Sequence, residues 1–271
     1  MLLLTVVLYN KTLSTSDTLK GLVESSAVLK KVNADVLLWD NSKTSMSEKD
    51  IDELNRHISL NYLHEPGNKP LSFIYNTVIE KISASNKYQY LVILDDDSKI
   101  SIPYFEEIIA ATTLNTSNLI FLPIVKNNQK IISPAKFYYL KGSYFKTINP
   151  GIYKGNLFAI NSGMVIAASF FKQYNFRYDE RLTNYGTDNY IMHFANEKKI
   201  PFYILNYTMD HSLSFFDHPD VAKRLEVFRQ IKKANKIVFS ANIFQSVMIS
   251  WYNFISSFKN AVKYKSFKFF S

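Results

Sequence analysis

Five short apolar runs punctuate the first 125 residues: Leu2–Leu8, Asp35–Asp40, Leu60–His64, Tyr90–Asp95 and Leu119–Leu122. Each is rich in Val, Ile, Leu or Tyr and has the length of a buried strand. Helical patterns lie between them. Ser14–Lys31 and Ser47–His57 both open with a Ser-x-x-Asp capping signal. Leu71–Ser85 follows Pro70, and Pro103–Leu114 starts with proline at a favoured first-turn position. Strands this apolar, alternating with helices, predict an α/β fold whose mainly parallel sheet is covered on both faces. Ligands of such sheets bind at the carboxyl ends of the strands. The polar residues there are Tyr9-Asn10, Asp40-Asn41-Ser42 and Asp95-Asp96-Asp97-Ser98.

From about 123 to 165 the pattern is irregular and rich in Tyr, Lys and Asn, as expected of long loops and short strands over one end of the sheet. Helical periodicity returns at Asp188–Lys199, followed by a strand at Pro201–Leu205 and a helical tail from about 219. No repeat or linker interrupts the body, which reads as one domain over 1–218. The apolar N-terminus lacks a basic lead-in and a small-residue cleavage site, so it reads as the first strand rather than a signal peptide.

Charge changes the picture of the tail. Residues 1–219 carry 22 Lys and Arg against 21 Asp and Glu, whereas the last 52 carry 10 against 2. Within the tail, Ile237–Phe258 has no charged residue, but eight of its 22 positions are Ser, Asn or Gln, too many for a spanning helix. Phe244, Val247, Met248, Trp251, Ile255 and Phe258 share one helical face; Asn242, Ser246, Ser250, Asn253 and Ser257 share the opposite one. Lys259, Lys263, Lys265 and Lys268 follow, among Tyr264, Phe267, Phe269 and Phe270. This pattern suits a helix in the headgroup region of an anionic leaflet. A helix packed on the body or on a second subunit is the alternative.

Composition narrows the chemistry. The absence of cysteine excludes disulfides, thiolate zinc sites, iron–sulfur clusters and a cysteine nucleophile. None of the seven glycines forms a dinucleotide-binding GxGxxG turn or a phosphate-binding P-loop. The strongest local signal is Tyr90-Leu-Val-Ile-Leu-Asp95-Asp-Asp97-Ser98. Carboxylates crowded at a strand end repel one another unless a cation compensates, and oxygen-only ligands suit Mg²⁺ or Mn²⁺. A solvated acidic turn is the plain alternative.

Taken in chain order, these motifs resemble the GT-A fold glycosyltransferases of inverting family 2, and the Leu-Asp-x-Asp-Ser form is similar to bacterial rhamnosyltransferase-type members. The likeness runs from the first strand to His211. Val6–Asn10 resembles the opening strand, so Tyr9 and Asn10 are implied to border the nucleotide pocket. Trp39-Asp40-Asn41-Ser42 resembles the turn whose Asp contacts the base. Asn68 and Asn76 match the two asparagines of an Asn-x-Gly…Asn stretch, although Lys69-Pro70 replaces the glycine, and Lys69 is then placed to touch phosphate. Asp95-Asp96-Asp97 matches the DxD element, with Asp95 and Asp96 toward the nucleotide-sugar and Asp97, with Asp95, on the metal. Asn161-Ser162-Gly163 looks like the acceptor-side loop, with Ser162 and Gly163 as acceptor contacts. Tyr178-Asp179-Glu180 and Gly186-Thr187-Asp188 resemble the segment whose last Asp is the catalytic base, although Thr187 stands where a Glu is usual. His211 sits where many members place a metal- or diphosphate-contacting histidine.

The resemblance implies a Rossmann-like GT-A domain with a mainly parallel central sheet, a Mn²⁺ or Mg²⁺ cofactor and a nucleotide-sugar donor carrying UDP or dTDP. It also implies a glycan or polyprenyl-linked glycan acceptor in O-antigen or capsule synthesis. The expected location is cytoplasmic, at the inner face of the plasma membrane through residues 219–271. The residue chemistry agrees with those tasks: a leaving diphosphate needs charge neutralisation, and an acceptor hydroxyl needs a positioned carboxylate. Taken alone, Asp188 reads as a helix N-cap and His211 as a structural histidine. His57, His64, His193 and His218 have no motif context. A nucleotidyltransferase shares this topology but carries a glycine-rich basic loop after the first strand, which Asn10–Asp17 lacks. A nucleic-acid-binding role predicts a basic body, and the body is near neutral. Intact Asp95, Asp97 and Asp188 argue against a non-catalytic sugar-binding relative.

Overall fold

β1 (Leu2–Leu8), β2 (Asp35–Asp40), β3 (Ser59–His64) and β4 (Tyr90–Asp95) form where the apolar runs predict them. In the computed structural model, which describes residues 1–138, 140–210 and 221–270, they lie parallel in the order β3-β2-β1-β4. Val7 pairs with Asp95 and Leu8 with Asp40, so the three polar strand ends are level with one another. Beyond β4 the sheet continues through antiparallel β11 (Met164–Ala167), then β5 (Ile120–Asn127), which also pairs with β6 (Lys130–Ser133), and then β12 (Phe202–Asp210), parallel to β5. β9 (Gly151–Tyr153) forms its far edge, and β7 (Ala135–Tyr138), β8 (Lys141–Tyr144) and β10 (Leu157–Phe158) make a small second sheet.

Alternation along the strands divides the core. Leu4, Val6, Val36, Leu38, Val92 and Leu94 pack toward α1 (Asp17–Glu24), α2 (Ser26–Lys31), α3 (Glu48–His57) and α5 (Ile102–Leu114). Leu3, Leu37, Leu91 and Ile93 pack toward α4 (Leu71–Ala84), α6 (Ala168–Tyr174) and α7 (Thr187–Glu197).

Three departures from the sequence reading have local causes. The single helix expected over Ser14–Lys31 is broken at Ser25, whose backbone N–H bonds to the Gly21 and Val23 carbonyls and whose side chain makes no capping hydrogen bond. Ser16, rather than Ser14, caps α1 by accepting the Leu19 N–H at 3.2 Å. β5 runs past the expected Leu122 through Pro123. A proline is tolerated there because β11 pairs only as far as Phe121 and the β12 register shifts between Ile204 and Thr208.

The tail forms two helices, α8 (Val221–Phe239) and α9 (Ile243–Tyr264), rather than one continuous apolar stretch. Asn242 caps α9 by accepting the Gln245 N–H at 2.9 Å. α8 packs on the body through Ala234, Val238 and Phe239 against Leu182, with Ile249 of α9. Gly186 makes that approach possible. It has φ +88°, and a Cβ there would lie 2.6 Å from the Ala234 Cβ. Residues 267–270 form a short turn that buries Phe269 against Phe228 and Tyr264.

Candidate active site

The acidic turn after β4 is held from below by α1. Ser16 donates to the Asp96 carbonyl at 2.6 Å, the Thr18 hydroxyl donates to the Asp95 carbonyl, and Thr18 Oγ1 accepts the Ser98 N–H at 2.9 Å. The turn is thus fixed by its backbone, which leaves the three carboxylates half-buried above it. The Tyr9 N–H donates to Asp96 Oδ2 at 3.1 Å. Burial, then the charges of Asp97 and Asp95, push the Asp96 carboxyl up to about 6. The Ser162 hydroxyl donates to Asp95 Oδ2.

The β2 end is built as a closed turn. Asp40 accepts the Ser42 N–H at 3.0 Å, the Met46 N–H at 3.0 Å and the Tyr62 hydroxyl at 2.6 Å. Burial opposes its ionisation, but hydrogen bonds from Ser42, Tyr62 and Met46 prevail and hold the carboxyl below its ordinary range. The side chain facing the loop beyond is Asn41, which donates to the Asn68 side chain at 3.1 Å and the Lys69 carbonyl at 2.9 Å, and accepts the Lys69 N–H at 2.7 Å. Asn68 has φ +43°, a left-handed conformation that asparagine tolerates, and Lys69 Nζ lies 3.9 Å from Glu65. Asn10, also left-handed at φ +52°, donates its N–H to Ser42 Oγ at 2.8 Å.

Asn76 faces a different task. Its amide donates to the Tyr178 carbonyl at 3.0 Å and accepts the Tyr178 N–H at 2.8 Å, tying α4 to the segment that leads into α7. That segment delivers Asp188 in the first turn of α7. Its Oδ1 accepts the Asn189 N–H at 2.7 Å. Burial first, and the charge of nearby Asp95 second, push the Asp188 carboxyl up to about 6. Asp95 and Asp188 also both act on the buried Tyr75 hydroxyl. Asn161 spans the gap between the two elements by donating to Thr187 Oγ1 at 2.9 Å. The Asn161 side chain also interacts with the buried Tyr75 hydroxyl, and the buried Tyr178 hydroxyl has no hydrogen-bond partner among the described residues, an unusual cost away from a ligand site.

The structure therefore brings Asp95, Asp96, Asp97, Tyr9, Ser162 and Asp188 to one sheet edge. Asn68 and Lys69 border it through Asn41, and Asp40 and Asn76 fix its walls. His211 lies outside the described residues. Sequence reasoning did not single out Tyr75, Asn41 or the hydroxyls of Ser16 and Thr18. Asn41 stood inside a quoted motif, whereas the others carry no local signal. Of the histidines without motif context, His64 bonds to the Ser42 carbonyl at 2.9 Å, and His57 and His193 sit beside Glu53 and Glu197.

Two cavities open on the site, and α8 walls both. One of about 380 Å³ is lined by Tyr9, Tyr185, Lys223, Arg224 and Gln230. The other, about 300 Å³, is lined by Asp188, Gly186, Ile160, Phe158, Ile231 and Asn235. Among the described residues, no group of three or more His, Cys, Asp or Glu could hold a metal by protein ligands alone. The oxygen donors of Asp95 and Asp97 fit a hard divalent ion that takes its remaining ligands from phosphate and water.

Gly163 secures the floor. It has φ +76°, its N–H donates to the Ile93 carbonyl at 2.8 Å, and a Cβ there would lie 2.9 Å from Pro123 Cγ. Gly163→Ala is expected to cost about 2–4 kcal/mol, from a strained backbone plus overpacking against a rigid ring. A denaturant midpoint unchanged from wild type would refute this.

No protein-family model and no curated protein sequence matches the chain. Solved structures do resemble it. S. aureus TarS 1-349 superposes with TM-score 0.52 at 13% identity over 92% of this chain and 68% of that one. The same protein in complex with UDP-GlcNAc gives 0.54 at 12% identity, over 93% and 71%. GalNAc-T7 with UDP, GalNAc and Mn²⁺ gives 0.56 at 14% identity over 78% of this chain but only 43% of that one. These neighbours are glycosyltransferases. At such identity the likeness concerns architecture: the chain has a GT-A fold, with a mostly parallel sheet flanked by helices and two C-terminal helices added to it.

Proposed function

We propose that this protein is a nucleotide-sugar-dependent glycosyltransferase of the inverting, family 2 type. The observation that carries the reading is the pairing of the Asp95–Asp97 turn with Asp188 across one sheet edge, Asp188 being raised to about 6 partly by Asp95. UDP and UDP-GlcNAc in structures of the same fold support a nucleotide-sugar donor, and Mn²⁺ in one of them supports a divalent ion.

In this reading the donor lies along the strand ends, with its diphosphate near Asp95 and Asp97 and its base toward Tyr9, Asn10 and the Asp40 turn. A divalent ion held there would neutralise charge on the leaving diphosphate. The acceptor enters the cavity beside Asp188, past Ser162 and Gly163. Its hydroxyl proton passes to the Asp188 carboxylate as its oxygen bonds to the anomeric carbon. The bond from that carbon to the diphosphate oxygen breaks, and nucleoside diphosphate leaves with inversion. UDP or dTDP is the expected nucleotide. A glycan or polyprenyl-linked glycan of the bacterial envelope, O-antigen or capsule, is the expected acceptor, reached from the cytoplasmic side of the membrane.

A general base with its pKa near 6 is unprotonated at neutral pH, so transfer should fall as pH drops through about 6. A rate constant flat between about pH 5 and 8 would remove Asp188 from this role. The reading as a whole is tested by a melting-temperature panel of UDP, dTDP, GDP and CMP, each with and without Mn²⁺. One nucleotide should raise the melting temperature only with metal, because ligand bound to the folded state stabilises it by mass action. No shift with any of the four would count against a nucleotide-sugar donor.

A further inference from the structure

α9 is amphipathic in the wrong sense for a helix of a globular domain. Its buried positions, spaced four apart, are Ile249, Asn253, Ser257 and Ala261, largely small or polar. Asn253 bonds to the Asn235 side chain and the Lys232 carbonyl, both at 3.3 Å, while the buried Ser257 hydroxyl has no partner among the described residues. The apolar arc points outward: Phe244, Val247, Trp251, Phe254, Phe258 and Val262 are all exposed. Phe267 in the following turn is 88% exposed. Folding with the polar stripe inward leaves a large apolar surface in water, and such surfaces mark a partner.

The charge around this surface identifies the partner. Lys259, Lys263, Lys265 and Lys268 are exposed at its margin and beyond. Across residues 221–270, ten Lys and Arg face a single carboxylate, Glu226. Burial, then Lys236 and Arg229, hold the Lys232 ammonium below its ordinary range, a sign of the positive field there. A second copy applied to this face would set lysines against lysines. An anionic bilayer matches both the apolar arc and the charge. No helix among the described residues is long and apolar enough to cross a membrane, so the contact would be interfacial.

We propose that the outward face of α9, with the turn after it, docks on an anionic lipid bilayer and turns the cavity beside Asp188 toward that bilayer. The cavity at Asp188 shares Tyr144, Phe158, Asn189, Ile231 and Asn235 with another of about 300 Å³ that reaches Phe239 at the end of α8 and Tyr252 of α9. Tyr252 lies at the edge of the outward face, so an acceptor whose apolar end stays in the bilayer has a path to Asp188. The docking stands on α9 alone; only its orientation toward Asp188 rests on the transferase reading.

The test is vesicle flotation with phosphatidylcholine vesicles containing about 30% phosphatidylglycerol, against pure phosphatidylcholine. Tryptophan fluorescence is read in parallel. Trp251 is 64% exposed and Trp39 only 4%, so a blue shift on binding reports Trp251. The full chain should float with the anionic vesicles and shift its emission, and bind pure phosphatidylcholine at least about tenfold more weakly. Trp251→Ser with Phe258→Ser should lower partitioning at least about tenfold without lowering the melting temperature, since both side chains are exposed. No flotation, equal flotation of the double variant, or lipid-independent dimerisation that shields Trp251 would overturn the proposal. Flotation without any nucleotide-induced melting shift would uphold docking and overturn the transferase reading; the converse result would do the reverse.

Discussion

Asp188→Asn is expected to lose transfer by about 10²–10⁴-fold, the usual contribution of a positioned general base, while nucleotide binding persists. It should also make the protein more stable. The sign follows from the shift: the folded-state carboxyl is raised above its ordinary 3.8 to about 6. Ionisation of Asp188 therefore opposes folding, fully above about pH 6 and not at all well below pH 4. A shift of this size corresponds to about 3 kcal/mol at most. Asparagine removes the charge and keeps an oxygen for the Asn189 N–H, which Asp188 now binds at 2.7 Å. The melting temperature at pH 7.5 should rise by several degrees, and the gain should vanish near pH 4. An inactive variant with an unchanged melting temperature would mean that the charge is not held against the fold. A variant that still transfers would remove Asp188 from the base role.

Asp97→Ala is expected to abolish the metal-dependent part of nucleotide binding. The acidic turn should keep most of its shape, because Ser16 and Thr18 hold it through the Asp96 and Asp95 carbonyls and the Ser98 N–H. At nucleotide about a hundred times Kd, binding adds about 2.7 kcal/mol to the wild-type folded state, a shift of a few degrees. The variant should lose most of that shift with Mn²⁺ and be indifferent to the metal. Asp96 should titrate lower in the variant, since the Asp97 charge helps to raise it. An undiminished Mn²⁺-dependent shift would place the ion elsewhere. Together the two substitutions separate donor binding from proton removal.

The sheet was legible because its strands are short, apolar and closed by polar residues. Those residues announce the ends of β1, β2 and β4, and the register of Val7 with Asp95 and Leu8 with Asp40 sets them side by side. Asp188 was legible only as part of a chain-order resemblance, since by itself it has the look of a cap. The environment that raises it was not, because Asp95, Tyr75 and Asn161 approach from distant parts of the sequence. The same holds for Asp40 and Asn76. Their residue types suit ligand contact, yet three donors close on Asp40 and a backbone clamp engages Asn76. A proline inside β5 hid half of that strand, and the first helix is split at Ser25 without a side-chain signal. The tail showed its two faces in the sequence. Which one packs inward depends on α8, whose register against Gly186 no local pattern specifies.

The place of α8 also sets an order of assembly. Ile231, Ala234 and Asn235 are lining residues of the cavity at Asp188, and Lys223, Arg224 and Gln230 line the one at Tyr9. A nascent chain that has emerged only as far as β12 already holds every strand of the sheet and every carboxylate of the site, yet neither chamber has its outer wall. In the transferase reading, a shielded space for transfer is complete only once α8 is made. In the same reading, a chain made only as far as β12 would leave an activated sugar open to water.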